Sequence, residues 1–421
     1  MSKAQIILTS CSRRGLEVEQ IKNYLRGNGY TLSEEDWQVD PEADIILLST
    51  CGFTQPAEDF GFETLHRIQR GKKSSAQVIL GGCIPPINPQ RVVAEFDGPT
   101  FNPQTYTRLD DILHVQHPFQ SFNRPNMLPA PSISQEVRHT AEILKTFDGS
   151  LSGLEYISRR LNNGLRRRLI RNRYANLNSR HTFYIQIQEG CSMHCSYCAI
   201  RTAIGPLHSQ PLDEVLDQFR DGLAQGFHHF QLVGDNAGSY GLDICTNMGR
   251  LLESILAIEG KFDLDLTDIN PVYVPLIFES VKKLLAQNRL SRLYVPIQSG
   301  NRRLLKMMNR DCDIDAIRRM LIEIKTAAPR NFKLGTSLIV GFPSETIDEL
   351  DETINFCLSV GFDWAWCHSF SARPETPAAN LPQKIPVDEI LHRARYVHSH
   401  LRGKTLVTNA DDSTGNKTCQ G

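Results

Sequence analysis

No long hydrophobic run exists in this sequence. No stretch approaches the roughly 18 apolar residues that a membrane-crossing helix needs, so a membrane-embedded protein is not expected. No charge dominates either. The 46 Lys and Arg are balanced by 47 Asp and Glu, for a formal net charge of −1, which gives no global electrostatic pull toward nucleic acid. The N-terminus lacks the apolar core of a signal peptide, because Met1 to Gln5 runs straight into a short strand-like stretch, Ile6 to Thr9. A cytoplasmic location is therefore expected. Low-complexity runs and obvious short repeats are also missing. What is present is length and cysteine. The 421 residues suffice for two or three domains. Eleven cysteines, an odd number in so long a chain, argue against a secreted disulfide framework and for metal or catalysis.

The chain reads as four parts. In residues 1–105, short apolar runs at Gln5–Thr9, Asp44–Ser49 and Gln77–Leu80 alternate with helical stretches at Gly15–Arg26 and Glu58–Gln69. Such alternation implies a parallel sheet, here a Rossmann-like domain. Residues 106–180 break the rhythm as an extended linker, with Pro118, Pro125, Pro129 and Pro131 in a loop-like stretch. A helical pattern follows at about 153–172, carried by Leu154, Ile157, Leu161, Leu165 and Leu169. In residues 181–385 the alternation resumes, with strands expected near Tyr184, His229, Phe262, Arg292, Lys333 and Asp363. Six strand–helix units suggest a partial parallel (β/α)6 barrel, whose active site would lie at the C-terminal ends of its strands. Residues 386–421 read as one helix, about 387–401, and a polar tail. The fold class is α/β throughout.

Directly after the first barrel strand comes Glu189-Gly190-Cys191-Ser192-Met193-His194-Cys195-Ser196-Tyr197-Cys198. Three thiolates in one short loop can bind three irons of a cubane cluster and leave the fourth without a protein ligand. An open iron can chelate the amino and carboxylate groups of S-adenosylmethionine. One electron from the cluster then breaks the sulfonium C–S bond and yields a 5′-deoxyadenosyl radical. The protein supplies binding and shielding for that chemistry. A structural zinc site is the competing reading. It needs four ligands, with His194 the nearest fourth. The x3–x2 spacing and the aromatic Tyr197 before the last cysteine favour the cluster.

Three more cysteines each follow a strand of the first domain: Cys11, Cys51 and Cys83. Strand ends of a parallel sheet share one edge, so these cysteines, far apart in sequence, would converge there. They would form a second cluster site with one open iron. A lone cysteine in such a place is often just a buried residue. Three at the same point of three successive strands favour the cluster.

With these motifs the chain resembles the radical S-adenosylmethionine methylthiotransferases, which insert a methylthio group at an unactivated C–H bond. The N-terminal resemblance lies in Thr9-Ser10-Cys11, Ser49-Thr50-Cys51 and Gly81-Gly82-Cys83. Beyond Gly190–Cys198 it continues in the stretches Leu232–Gly241, Val295–Gly300, Met308–Arg310, Ile339–Pro343 and Ser371–Ala379, and so covers about 1–105 and 181–385. It implies two 4Fe–4S clusters and S-adenosyl-L-methionine as cofactors. The cluster at Cys191, Cys195 and Cys198 would activate the cofactor. The cluster at Cys11, Cys51 and Cys83 would hold the sulfur or methylthio group. Gly234, Asn236, Gln298, Arg310 and Gly341, joined by Tyr197, are the candidate cofactor contacts. Glycines let backbone approach a ligand, and amides and a guanidinium suit its ribose and carboxylate. A reducing partner such as flavodoxin or ferredoxin would supply the electron.

Three departures bear on the substrate. Asp235 stands where the family usually has an amide, which would alter a ribose or amino contact. Only about forty residues follow Ala379, too few for the small β-barrel (TRAM) domain of familiar members. The stretch 106–180 is longer than the usual connection. A peptide, protein or natural-product intermediate is therefore the expected substrate. A transfer-RNA base is the alternative, favoured by Arg159, Arg160, Arg166, Arg167, Arg168, Arg171 and Arg173 in one stretch, which could face a phosphate backbone or form a solvated face that anchors the linker. A cluster-bearing binding or scaffold protein without turnover is the third reading. His228 and His229 read as a surface pair, and Met307 and Met308 as core. Cys245, Cys312, Cys357 and Cys367 read as buried or incidental, and Cys419 as part of a tail.

Overall fold

The structure, a computed structural model, describes residues 2–35, 38–128 and 181–409. The first sheet contains β1 (Lys3–Leu8), β2 (Thr31–Leu32), β3 (Ile45–Thr50) and β4 (Gln77–Gly82), in the order β2-β1-β3-β4, all parallel. β3 reads IILLST and is buried along its whole length, as expected of a central strand covered on both faces. Helix Gly15–Gly27 covers one face with Ile21, Tyr24 and Leu25. Helix Gln55–Gly71 covers the other with Phe62, Leu65 and Ile68. This second helix starts where it does because Thr54 caps it, accepting from the Ala57 N–H at 3.3 Å, with a proline in the first turn. Truncating a fully buried Leu48 or Leu65 to alanine would cost about 2–5 kcal/mol.

Part of the stretch read as linker belongs to this core. Leu109, Leu113 and Phe119 are buried beside Tyr24. Tyr24 meets Phe119 edge-on at 5.3 Å, and Tyr106 stacks on Phe119 at 5.2 Å. Residues 129–180, with the arginine-rich stretch, lie outside the described residues, as do 410–421 with Cys419.

The second unit holds β5 (Thr182–Gln186), a small antiparallel pair β6 (Gln188–Glu189) and β7 (His208–Ser209), then β8 (His229–Val233), β9 (Asp263–Leu266), β10 (Leu290–Tyr294), β11 (Lys333–Val340), β12 (Trp364–Ser369) and β13 (Leu406–Asn409). The large sheet runs β13-β12-β11-β10-β9-β8-β5, all parallel, and forms an open barrel. The six expected strands are there. The tail is not wholly irregular, however. β13 pairs with β12, from Trp364 opposite Leu406 to Cys367 opposite Asn409. Four residues at a sheet edge carry too little alternation to be read in advance. Helices pack outside the sheet around a large apolar core, in which Phe219 stacks on Phe230 at 4.1 Å.

The two units meet through the C-terminal ends of their strands. Cys11, Cys51 and Cys83 follow β1, β3 and β4. Cys191 follows β5 and β6, Asp235 follows β8, and Asp268 follows β9. Arg14 reaches Asp235, and Arg13 reaches Asp268, across the junction.

Candidate functional site

The first cysteine set converges. The Cys11 and Cys51 thiols share a hydrogen bond, and Cys83 is close enough to both to feel their charge. Cys83 is brought there by Gly82, whose φ of +94° and tight approach exclude a side chain. A Cβ at Gly82 would lie 2.3 Å from the Thr50 carbonyl oxygen, to which the Cys83 N–H donates at 3.0 Å. The hydrogen bond with Cys51 lowers the Cys11 thiol to about 6; burial opposes this, and Arg13 and Arg14 assist it. The Cys51 thiol is raised by that same bond and by burial. Burial pushes Cys83 up to about 12.

The second set sits on a loop fastened at several points. The Cys191 N–H donates to Gly205 O at 3.3 Å and the Ser196 N–H to Met308 O at 2.9 Å. The Ser196 hydroxyl donates to Met307 O at 2.8 Å. Arg310 is buried beside the loop. It donates to the Cys195 thiol at 3.6 Å, the Tyr197 hydroxyl at 3.3 Å and Pro296 O at 2.6 Å. Burial raises the Cys191 and Cys198 thiols, the latter to about 11. Cys83 and Cys191 pack against one apolar cluster, with Ile87 from the first unit and Ala199, Ala203 and Ile204 from the second.

Both donor sets are thiols, the ligand chemistry of an iron–sulfur cluster. Among the described residues no three His, Cys, Asp or Glu side chains are placed to share a single metal ion. His194 is exposed, and only its carbonyl is engaged, by Asn309 at 2.8 Å. Thiolates spread over several irons need no common centre. Buried polar atoms without partners also mark the barrel end: Asn236 Nδ2, Gln298 Oε1, both amide atoms of Gln188 and Arg310 Nε. Such atoms are costly unless a ligand satisfies them. Gln298 is further held at φ +66°, strained for a non-glycine residue.

The sequence candidates divide accordingly. Asn236 lies near the Cys191 thiol, and Gln298 presents an unpaired oxygen. Tyr197 and Arg310 are engaged with each other and with Cys195. Gly234 leaves room for Gln188, since a Cβ there would come within 2.9 Å of it. Gly341, at φ +81°, packs against Ile390 and donates its N–H to Glu345 at 2.8 Å. Asp235 is engaged by Arg14 at 2.5 Å and by the Gly190 N–H at 2.9 Å.

Several side chains at the junction escaped the sequence reading. Arg13 and Arg14 are the clearest, and two adjacent arginines one residue past Cys11 were the available signal. Glu58 and Arg373 pair in full burial. His368, at the end of β12, meets Phe53 edge-on at 5.2 Å. Burial and Arg13 lower its imidazole to about 4. A cleft lined by Phe53, Tyr197, Cys198, Ile339, His368 and Phe370 lies between the chain that follows Cys51 and the end of the Cys191–Cys198 loop.

Residues 185–357 match the Radical SAM superfamily, and residues 3–100 match the family described as Uncharacterized protein family UPF0004. With the open parallel barrel and the three-cysteine loop, these matches define a radical S-adenosylmethionine enzyme. Curated relatives carry the comparison further. The tRNA-2-methylthio-N(6)-dimethylallyladenosine synthase of Aliivibrio fischeri (strain MJ11) is 29% identical over 422 residues, 96% of this chain and 79% of the relative. The protein of that name in Haemophilus ducreyi is 25% identical over 96% of this chain and 78% of its own length. Together these matches support a radical S-adenosylmethionine methylthiotransferase, an enzyme that transfers sulfur-containing groups and uses 4Fe–4S clusters and S-adenosylmethionine. Its fold is shared with the radical S-adenosylmethionine methyltransferase TsrM from Kitasatospora setae, at a TM-score of 0.57 and 14% identity over 90% of this chain and 77% of that one. Among the described residues no helix is long and apolar enough to cross a membrane.

Proposed function

We propose that Cys191, Cys195 and Cys198 hold the radical cluster, that Cys11, Cys51 and Cys83 hold an auxiliary cluster, and that the enzyme methylthiolates an adenosine of transfer RNA. The observation that carries the two-cluster reading is the shared apolar packing of Cys83 and Cys191, which puts both loops at one junction. When bound, the radical cluster and S-adenosylmethionine supply a 5′-deoxyadenosyl radical that removes a hydrogen atom from the substrate.

The chain's own residues bind, orient and exclude water. Arg310 and Tyr197 close over Cys195, Asn236 stands beside the Cys191 thiol, and Gln188 with both amide atoms and Gln298 with its oxygen offer unpaired polar atoms to a cofactor. Ile87, Ala199, Ala203 and Ile204 keep the space between the loops apolar, which favours a reactive radical's survival. The electron would come from a flavodoxin- or ferredoxin-like protein.

The names of the relatives favour a transfer-RNA base over the peptide or natural-product substrate expected from sequence. Reconstituted enzyme, reductant, S-adenosylmethionine and bulk transfer RNA should yield a nucleoside heavier by one methylthio unit in mass spectrometry. Unchanged nucleosides, with methylthiolated peptide instead, would overturn the substrate assignment and leave the cluster assignment standing.

A further inference from the structure

We propose that Asp235 is a positioning residue that binds both cysteine loops with one carboxylate and so sets the placement of the two clusters relative to each other. The inference rests on the two-cluster reading above.

The geometry is specific. One carboxylate oxygen of Asp235 accepts from Arg14 Nη2 at 2.5 Å, and the other accepts from the Gly190 N–H at 2.9 Å. Arg14 belongs to the loop of the first cysteine set, where its own N–H donates to the Cys11 carbonyl at 3.1 Å. Gly190 directly precedes Cys191. One side chain thus spans from the turn after Cys11 to the residue before Cys191. The Arg14 and Asp235 side chains are 9% and 8% exposed, so solvent screens the pair little. Glu17 fixes the far side of the same guanidinium at 2.6 Å.

Only a carboxylate can do this. Both groups facing Asp235 are donors, and an ionised carboxylate is acceptor-only on both oxygens. An amide at this position would offer one acceptor and one donor. Its NH2 group would confront either the guanidinium or the Gly190 N–H, leaving a buried donor without a partner. A second pair repeats the device one residue earlier and one strand further: Arg13 is bound by Asp268, whose backbone is held at φ +59°. Two successive residues of the Cys11 loop are therefore each captured by a carboxylate placed just beyond a successive barrel strand.

The test compares the unaltered chain with Asp235→Asn and with the double variant Arg14→Gln, Asp235→Asn, each anaerobically reconstituted. In the double variant, the amide introduced at position 235 can donate to the amide oxygen introduced at position 14, while its own oxygen accepts from the Gly190 N–H. Three readouts are taken: iron and sulfide per chain, spin–spin broadening in the electron paramagnetic resonance spectrum of reduced enzyme, and methylthiolated product per 5′-deoxyadenosine. The single variant is expected to keep its iron, to show altered broadening, and to lose about tenfold or more in the product ratio, since misplacement of about 1 Å can cost as much. The double variant is expected to recover both. Unaltered broadening and ratio in Asp235→Asn would overturn the proposal, as would failure of the double variant to recover. Loss of iron from the Cys11, Cys51 and Cys83 set in Asp235→Asn would also overturn it, because the carboxylate would then hold the site rather than set its position. Absence of that iron in the unaltered chain would instead overturn the two-cluster reading itself.

Discussion

Arg373, in the loop after β12, forms an ion pair with Glu58, on the helix after Cys51, and the two side chains are 1% and 0% exposed. Arg373 also donates to Gln55 Oε1 at 2.9 Å, and the Gln55 N–H donates to the Ser371 hydroxyl at 2.8 Å. This network fastens the first unit to the barrel. Arg373→Ala would leave Glu58 buried with a main partner missing, although Arg91 and Asn88 still reach it. The expected loss of stability is about 3–5 kcal/mol. Chemical unfolding followed by fluorescence checks it; a loss below about 1 kcal/mol would show the pair to be dispensable.

Gly190 is expected to tolerate no side chain. Its φ is +74°, and a Cβ there would lie 1.8 Å from the Pro206 carbonyl oxygen. Gly190→Ala must displace the start of the Cys191 loop against backbone, not against a flexible side chain. Iron bound by the Cys191 set should fall, and reductive cleavage of S-adenosylmethionine should drop roughly tenfold or more. Iron analysis and chromatography of 5′-deoxyadenosine read the result, and wild-type values in both would contradict it.

His229 contributes a pH-dependent part of the barrel's stability. Burial works against its charge, but Asp263 and Asp265 lift the imidazole to about 9. The folded value exceeds the ordinary value of 6.5. The contribution is therefore complete below about pH 6.5 and is lost as pH rises through about 9. Its upper bound is about 3 kcal/mol, reduced because the side chain is partly exposed. The stability gap between the unaltered chain and His229→Gln should shrink between about pH 6.5 and about pH 9.5. A constant gap in melting experiments would exclude the charged pairing.

Much of the fold was legible because its signals are local. The apolar runs at β1, β3 and β4, and the regular return of strands in the barrel, follow from side-chain periodicity. The cysteine placements were legible because Cys11, Cys51 and Cys83 each follow a strand of one parallel sheet, while Cys191, Cys195 and Cys198 share one short loop. Three things were not. The Arg13–Asp268 and Arg14–Asp235 pairs join residues 255 and 221 positions apart, and nothing in either segment names its partner. Leu109 and Phe119 lie on very short helices, Arg108–Leu113 and Phe119–Ser121, too brief to show a period, so their place in the first core was hidden. β13 is a short edge strand, specified by pairing with β12 more than by its own residues.

The assignment of two clusters with separate tasks is tested most directly by Cys83→Ala, assayed for 5′-deoxyadenosine and for methylthiolated transfer RNA in one reaction. Cys83 lies on the auxiliary set and packs beside Cys191 without being in its loop. The expected result is continued cleavage of S-adenosylmethionine with no methylthiolated nucleoside. Methylthiolated product formed at the rate of the unaltered chain would contradict the account.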